Sequence, residues 1–242
     1  MFPLKDNIPA KNFPYVNIGL IVINVVFFIY QMSYGLEFDR LIFALGFIPA
    51  RFLEQQGENF LNPMGFLPVF SSMFMHANLL HLISNMWMLW IFGDNVEDCM
   101  GHGRYILFFL LCGIASVLAQ TISNPQSTIP MVGASGAISG VLGAYIISYP
   151  NARILTLVPI FILFYIIELP AYLFLGLWFV IQFIQGTLYT LNAENLPGGG
   201  VAWWAHVGGF AAGVVFLQIF RCKDWHRPEV QPAKRIRRIR SR

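Results

Sequence analysis

Of the chain's 242 residues, 57% are hydrophobic and 11% charged, whereas a soluble domain carries about 25% charged residues. The apolar residues come in runs of membrane-crossing length, which excludes an ordinary soluble domain. They point instead to an all-α polytopic membrane helical bundle. The net charge of +3 comes mostly from a basic carboxyl end, and a tail directly after a span is not expected to bind nucleic acid. Cys99, Cys112 and Cys222 offer no disulfide framework and read as inert packing thiols.

Residues 1–13 lack the early apolar core and small-residue cleavage site of a signal peptide, so the first span is expected to be an uncleaved anchor. Six spans follow: Tyr15–Tyr34, Asn78–Gly93, Tyr105–Ser123, Val132–Tyr149, Ala171–Leu191 and Ala202–Phe220. They define a six-transmembrane-helix domain over 14–220, between a cytoplasmic N-terminal segment and a basic cytoplasmic tail, 221–242. The second and fourth are short, which suits helices whose ends stop inside a protein bundle.

The loop from 35 to 77 is long and rich in Phe, Leu and Met, and is expected to lie in the outer interface. A further apolar run, ILTLVPIFILFYII at 154–167, is too short to cross comfortably and is interrupted by Pro159. Charge decides its fate. With six spans and an inside N-terminus, all of the 15 Lys and Arg residues except Arg40 and Arg51 lie inside, as the positive-inside rule prefers. A seventh span would send the basic tail across. The run is therefore expected to be a re-entrant or interfacial piece on the cytoplasmic side, ending at Glu168-Leu169-Pro170. Glu168 reads as a residue at a helix N-terminus beside an early-turn proline.

Polar residues inside spans are costly and face a cavity or a partner. His81 and Asn85 lie on the second span, Ser135 and Ser139 at the start of the fourth, and His206 near the start of the sixth. These three spans run in one direction. His81, Ser135 and His206 each sit roughly 4 to 6 Å into their own helix, at about 1.5 Å per residue. His81 and Asn85, four apart, share a face. A serine hydroxyl needs an adjacent base, and histidine suits that task. A serine of the fourth span with His206 makes the pair, spacing leaving Ser135 and Ser139 nearly tied. His81, Asn85 and the Ser135 backbone N–H are candidate oxyanion donors. Asp94, Glu97 and Glu168 all map to the cytoplasmic side, so a dyad is expected rather than a triad. Small residues, Gly133, Gly136, Gly140 and Gly143 on one side and Gly208, Gly209 and Gly213 on the other, allow close helix approach.

Four motifs in order, HANLLHLISN (76–85), GDNVEDCMG (93–101), GASG (133–136) and AHVGGFAAG (205–213), resemble the rhomboid intramembrane serine proteases. The resemblance covers about residues 14 to 220. It implies Ser135 as nucleophile, which resolves the tie with Ser139, and His206 as general base. It implies oxyanion stabilisation by His81, Asn85 and the Ser135 backbone, with His76 in structural or water-retaining support. It also implies single-span membrane proteins as substrates, cut near the outer part of their helix, with no cofactor and no metal. Many members carry a Trp-Arg pair before the first motif histidine; GFLPVFSSMFMH has neither residue.

The alternatives weighed are a catalytically silent rhomboid-like protein that binds membrane clients, a transporter, and a metal site of His76, His81 and His206. The loop QGTLYTLNAENLPGGGVAWW, with Gly198–Gly200, is a candidate mobile cap. Trp203 and Trp204 are candidate interface anchors, and KRIRRIRSR is an orientation signal lying against anionic lipid. The compact chain looks like a protein of a bacterial inner membrane; its oligomeric state is not legible.

Overall fold

The computed structural model of the chain describes residues 1–58, 63–160, 163–191 and 201–221. A short strand, Phe2–Lys5 (β1), precedes the first long helix, Tyr15–Met32 (α1). Three short helices follow: Phe38–Leu45 (α2), Pro49–Glu58 (α3) and Pro63–Ser71 (α4). Then come Leu79–Met100 (α5), His102–Ser123 (α6) and Ser135–Ser148 (α7). A hairpin of Arg153–Ile160 (β2) and Leu163–Pro170 (β3) leads into Ala171–Leu191 (α8), and Trp203–Phe220 (α9) ends the bundle.

All six expected apolar segments are thus helical. Four, α1, α6, α8 and α9, are individually long and apolar enough to cross a membrane. Helix α5 meets that standard together with Pro63–Phe74, from which it is bent by 79°. Helix α7 has only 14 residues, about 21 Å at 1.5 Å per residue, against about 30 Å of hydrocarbon. Its position explains its brevity: every residue from Gly136 to Tyr145 is buried by neighbouring helices, so its ends need not reach the headgroups. The outer helices instead expose apolar side chains such as Val26, Ile29 and Ile122, as a lipid-facing surface requires. The chain is an integral, multi-pass membrane protein.

The principal departure from an all-helical reading is the segment 153–170. Expected as a re-entrant or interfacial piece, it is extended: its described residues, 153–160 and 163–170, form two antiparallel strands that pair Arg153 with Pro170 and Leu155 with Glu168. Strand β1 adds to its other edge in the order β1-β2-β3. Glu168 therefore sits in a strand, three residues before the first residue of α8, rather than in a helix start. Isoleucine, threonine, valine and aromatic residues suit a pleated strand. Pro159 pairs with Phe164 of β3 and lies beyond Leu155, Thr156 and Leu157, the residues that β1 pairs, so on the β1 side it occupies an unpaired edge, where proline is tolerated. The Ala171 N–H donates to the Ala152 carbonyl at 2.8 Å. Chain entry and exit therefore lie together, at the end of the bundle that holds the N-terminus.

Among its described residues, the 35–77 region is built from short helices rather than a plain loop. Phe47 is fully buried and exchanges backbone hydrogen bonds with Met131 at 3.0 and 2.7 Å. Arg51 donates to the carbonyls of Phe43 at 2.6 Å and Gly46 at 2.7 Å, satisfying acceptors at the end of α2. An arginine within the region thus ties its backbone together without the Trp-Arg pair of the family pattern.

At the end of the bundle that holds the sheet, Glu97 on α5 accepts the N–H groups of Val16 at 3.0 Å and Asn17 at 2.7 Å. It also meets the His102 ring. A buried carboxylate so placed caps the first turn of α1. Gly101, between α5 and α6, has φ +78°, a conformation that costs a side chain strain. The expected cap falls in part, at 192–200 with Gly198–Gly200, outside the described residues. So does the tail from residue 222, Cys222 included.

Candidate active site

Helix α7 begins at Ser135 with no side-chain cap, so the Ser135 backbone N–H is among the unsatisfied donors of a helix start. Before it, Gly133 adopts φ +120° and donates its N–H to the Ser72 carbonyl at 2.9 Å. A Cβ here would lie 2.7 Å from His81 Cε1 and 2.8 Å from its Nε2. The bare glycine is what lets the His81 imidazole come beside the start of α7.

On α9, His206 lies in the first turn. That turn is tied to α6, since the Ala205 N–H donates to Gln120 Oε1 at 3.2 Å. Helices α7 and α9 then close along their glycines. A Cβ on Gly209 would overlap the Gly136 carbonyl, and one on Gly213 would come within 2.6 Å of Gly140 backbone carbon. Only at this separation does a side chain as short as serine reach a neighbouring helix.

The result is a pair: Ser135 Oγ and His206 Nε2 stand 2.8 Å apart. The two serines one turn apart are now distinct. Ser139 donates its hydroxyl back to the Ser135 carbonyl at 2.6 Å and is 1% exposed, a bond that occupies it within its own helix. The His206 ring is flanked by Trp178, with centroids 5.9 Å apart, and by Trp203 at 6.4 Å. Its Nδ1 lies 2.7 Å from Gln182 Oε1 on α8. Trp203 thus contacts the candidate base, and Trp204 donates Nε1–H to Thr190 Oγ1 at 3.0 Å, roles that an interface-anchor reading did not include.

Asn78 caps α5 as its position suggests, accepting the His81 N–H at 2.8 Å. Asn85 is buried and donates to the His81 carbonyl at 2.8 Å. His76 is fully buried, its ring packed edge-on against His81 at 5.2 Å. Gln31 of α1 clamps the His76 backbone at both ends, accepting its N–H at 3.0 Å and donating to its carbonyl at 3.2 Å. The structure therefore brings Ser135, His206 and His81 together, with Asn85 one turn below His81 and His76 behind it.

Three glutamines, Gln31, Gln120 and Gln182, escaped the sequence reading. Each is buried within an apolar helix, and a polar side chain in such a run is itself the signal that could have found them. Chemically, the arrangement places a hydroxyl against an imidazole nitrogen at general-base distance. Both lie beside a free helix N–H and a second imidazole.

The family model of the rhomboid domain matches residues 64–222. The chain is 25% identical over 179 residues to Rhomboid protein 1, mitochondrial, of Saccharomyces cerevisiae, covering 72% of this chain and 46% of that protein. It is 27% identical over 171 residues to presenilin-associated rhomboid-like protein A, mitochondrial, of Danio rerio, covering 67% and 40%. It is 33% identical over 134 residues to rhomboid protease GluP of Bacillus subtilis, covering 54% and 24%. The chain spans less than half the length of each of these relatives. With the domain match extending over most of the bundle and through both helices of the pair, the chain belongs to the rhomboid family.

Proposed function

We propose that this protein is an intramembrane serine endopeptidase that cuts single-span membrane proteins near the outer part of their helix. The observation that carries the reading is the 2.8 Å approach of Ser135 Oγ to His206 Nε2. The name of GluP, a rhomboid protease, supports it.

In this reading His206 Nε2 takes the Ser135 proton as Oγ attacks the scissile carbonyl carbon. The C=O π pair moves onto oxygen, where the Ser135 N–H and the side chains of His81 and Asn85 stabilise the negative charge. The amide C–N bond then breaks, and the imidazolium gives its proton to the leaving amine. Water, deprotonated by the same nitrogen, releases the acyl group and returns Ser135. Removing one oxyanion donor typically costs about 10² to 10³ in rate, which sets the scale expected for substitutions at His81 or Asn85. For Asn85 to contribute, its amide shares itself between the His81 carbonyl and the oxyanion, or turns toward it.

The bilayer supplies the substrate, and the proposed topology keeps both termini on the cytoplasmic face. Two of the relatives named above carry mitochondrial names and one is bacterial, so the expected bacterial inner membrane is not carried by them.

The test is cleavage of tagged single-span proteins by the purified chain in liposomes, with the cut located by product mass. A cut in the outer part of the substrate helix supports the reading. Folded protein that leaves a broad panel of such substrates intact would overturn it.

A further inference from the structure

Gln182 lies in the middle of α8, a helix otherwise apolar over most of its length, and is 6% exposed. Its amide oxygen is 2.7 Å from His206 Nδ1, on the side of the ring opposite Ser135. An amide oxygen can only accept, so Nδ1 carries the proton in this arrangement. A neutral imidazole has one N–H, and Nε2 is then left as the lone-pair nitrogen facing the serine hydroxyl. In the other tautomer Nε2 would present a hydrogen to Ser135 and could take no proton from it.

Among the described residues, no carboxylate takes the place of the one that orients such a histidine in soluble serine hydrolases: the His206 ring nitrogens meet Gln182 and Ser135, and the Glu97 carboxylate is engaged with the first turn of α1. We propose that Gln182 is the positioning residue of the pair, a neutral third member that fixes the tautomer and the ring orientation of His206. This rests on the protease reading of Ser135 and His206 given above.

The surroundings of Gln182 are built to hold it. Trp178 and Gln182 are four apart and share a face of α8, and Trp178 packs on both His206 and Phe210. One turn further, Gly186 lies against α9: a Cβ there would sit 3.2 Å from the Trp204 ring and 3.3 Å from Trp203 Cβ. Phe179 on Phe210, with centroids 4.7 Å apart, and Phe183 on Trp204 at 5.6 Å set the register of the two helices. The amide is therefore aimed by packing rather than by chance rotation of a lipid-facing side chain.

During reaction the Ser135 proton moves to Nε2, and the Nδ1 proton stays where it is. The imidazolium keeps its hydrogen bond to the amide oxygen, and no proton passes to Gln182. A neutral amide orients the ring but stabilises its positive charge less than a carboxylate would. Losing Gln182 should therefore cost less than the about 10⁴-fold seen when a triad aspartate becomes asparagine.

Two readouts on Gln182→Met and Gln182→Glu, against wild type, decide the matter. The first is kcat and KM for one single-span substrate in liposomes, across pH 5 to 9. Gln182→Met, similar in size but without the acceptor, should lose roughly 10- to 100-fold in kcat, with KM changed less than about threefold. Gln182→Glu, acceptor-only when ionised, should keep activity and move the acid limb of its rate profile to higher pH.

The second readout does not need activity. In ¹⁵N-histidine-labelled protein, with the His206 signals identified by their loss in His206→Asn, wild type should show protonated Nδ1 and bare Nε2. Gln182→Met should lose that preference. A Met variant with wild-type kcat and an unchanged His206 tautomer would overturn the role of Gln182. A wild type with the proposed tautomer, lost in the Met variant, but with no proteolysis would leave Gln182 orienting His206 and remove the protease reading instead.

Discussion

The hydroxyl of Ser139 is donated to the carbonyl of Ser135, 2.6 Å away on the same helix. One bond separates two serines that spacing alone treats alike. It predicts that a fluorophosphonate, which reacts with an activated serine, labels Ser135 and not Ser139. Ser139→Ala should label at no less than about half the wild-type rate, because a back-bonded serine contributes little to a helix. Ser135→Ala should not label. Peptide mapping that finds the adduct on Ser139 would reverse the assignment.

The glycines between α7 and α9 make a second prediction, with its own control. Gly209→Val places two methyl groups and a Cβ into the Gly136 backbone. Overpacking of this kind costs about 1–3 kcal/mol, occasionally more, and forces apart the helices that carry Ser135 and His206. A lowered thermal midpoint in detergent and loss of cleavage are expected together. At Gly176 on α8, a Cβ meets nothing within 4 Å. Gly176→Ala should be neutral or stabilising by up to about 1 kcal/mol, since alanine is the better helix former. Equal losses at both positions would show that the α7–α9 contact is not special.

Much of this was legible before any coordinates. A charge deficit and six apolar runs are one-dimensional signals, and each run became a helix. His81 and His206 do lie in the first turn of their helices, as counted from the expected starts, but α7 starts at Ser135 itself rather than at Val132, so the serine stands at a helix start and not three residues inside it. Three things could not be read from such signals. The hairpin at 153–170 is an apolar run whose length and composition fit a strand and a buried helix segment alike, and its pairing with residues 2–5 is a contact across some 150 positions. Spacing alone leaves Ser135 and Ser139 tied; only the resemblance of GASG to the family chooses Ser135, and the back-bond of Ser139 to its own helix is a side-chain contact that no spacing encodes. Gln182 is 24 residues from His206, and only the packing of α8 on α9 shows which way its amide points.

At the end of the bundle that holds the sheet, Glu97 supports α1, and its removal should affect stability without touching the chemistry. It lies roughly 24 Å along α5 from His81, at 1.5 Å per residue. Glu97→Ala leaves the Val16 and Asn17 N–H groups without their charged acceptor, a loss on the order of 2–3 kcal/mol. Glu97→Gln keeps one acceptor and should lose less. Thermal midpoints in detergent order the variants wild type, Gln, Ala. Cleavage per folded molecule should be unchanged, and a selective fall in kcat for the folded fraction would tie this end of the bundle to the site.

The N-terminal segment carries a pH dependence of its own. Burial pushes the Asp6 carboxyl up to about 6, against which its hydrogen bond from the Tyr145 hydroxyl acts only partly. Unfolded, the group titrates near 3.8. Between about pH 4 and 6 the folded chain therefore holds a proton that the unfolded chain has released, so this contribution to stability falls as pH rises through that window. Asp6→Asn has no proton to lose. Relative to wild type its thermal midpoint should be higher at pH 7 than at pH 4. A difference independent of pH would show that Asp6 does not titrate in this range.

The central claim is that Ser135 and His206 act as one unit, and a double-mutant cycle on cleavage rates in liposomes tests it most directly. Wild type, Ser135→Ala, His206→Ala and the double variant are compared on one single-span substrate. Members of a catalytic unit are strongly non-additive, because removing either disables the other. The account predicts that the double variant is no slower than the Ser135→Ala single variant. Two independent losses that multiply in the double variant would contradict it.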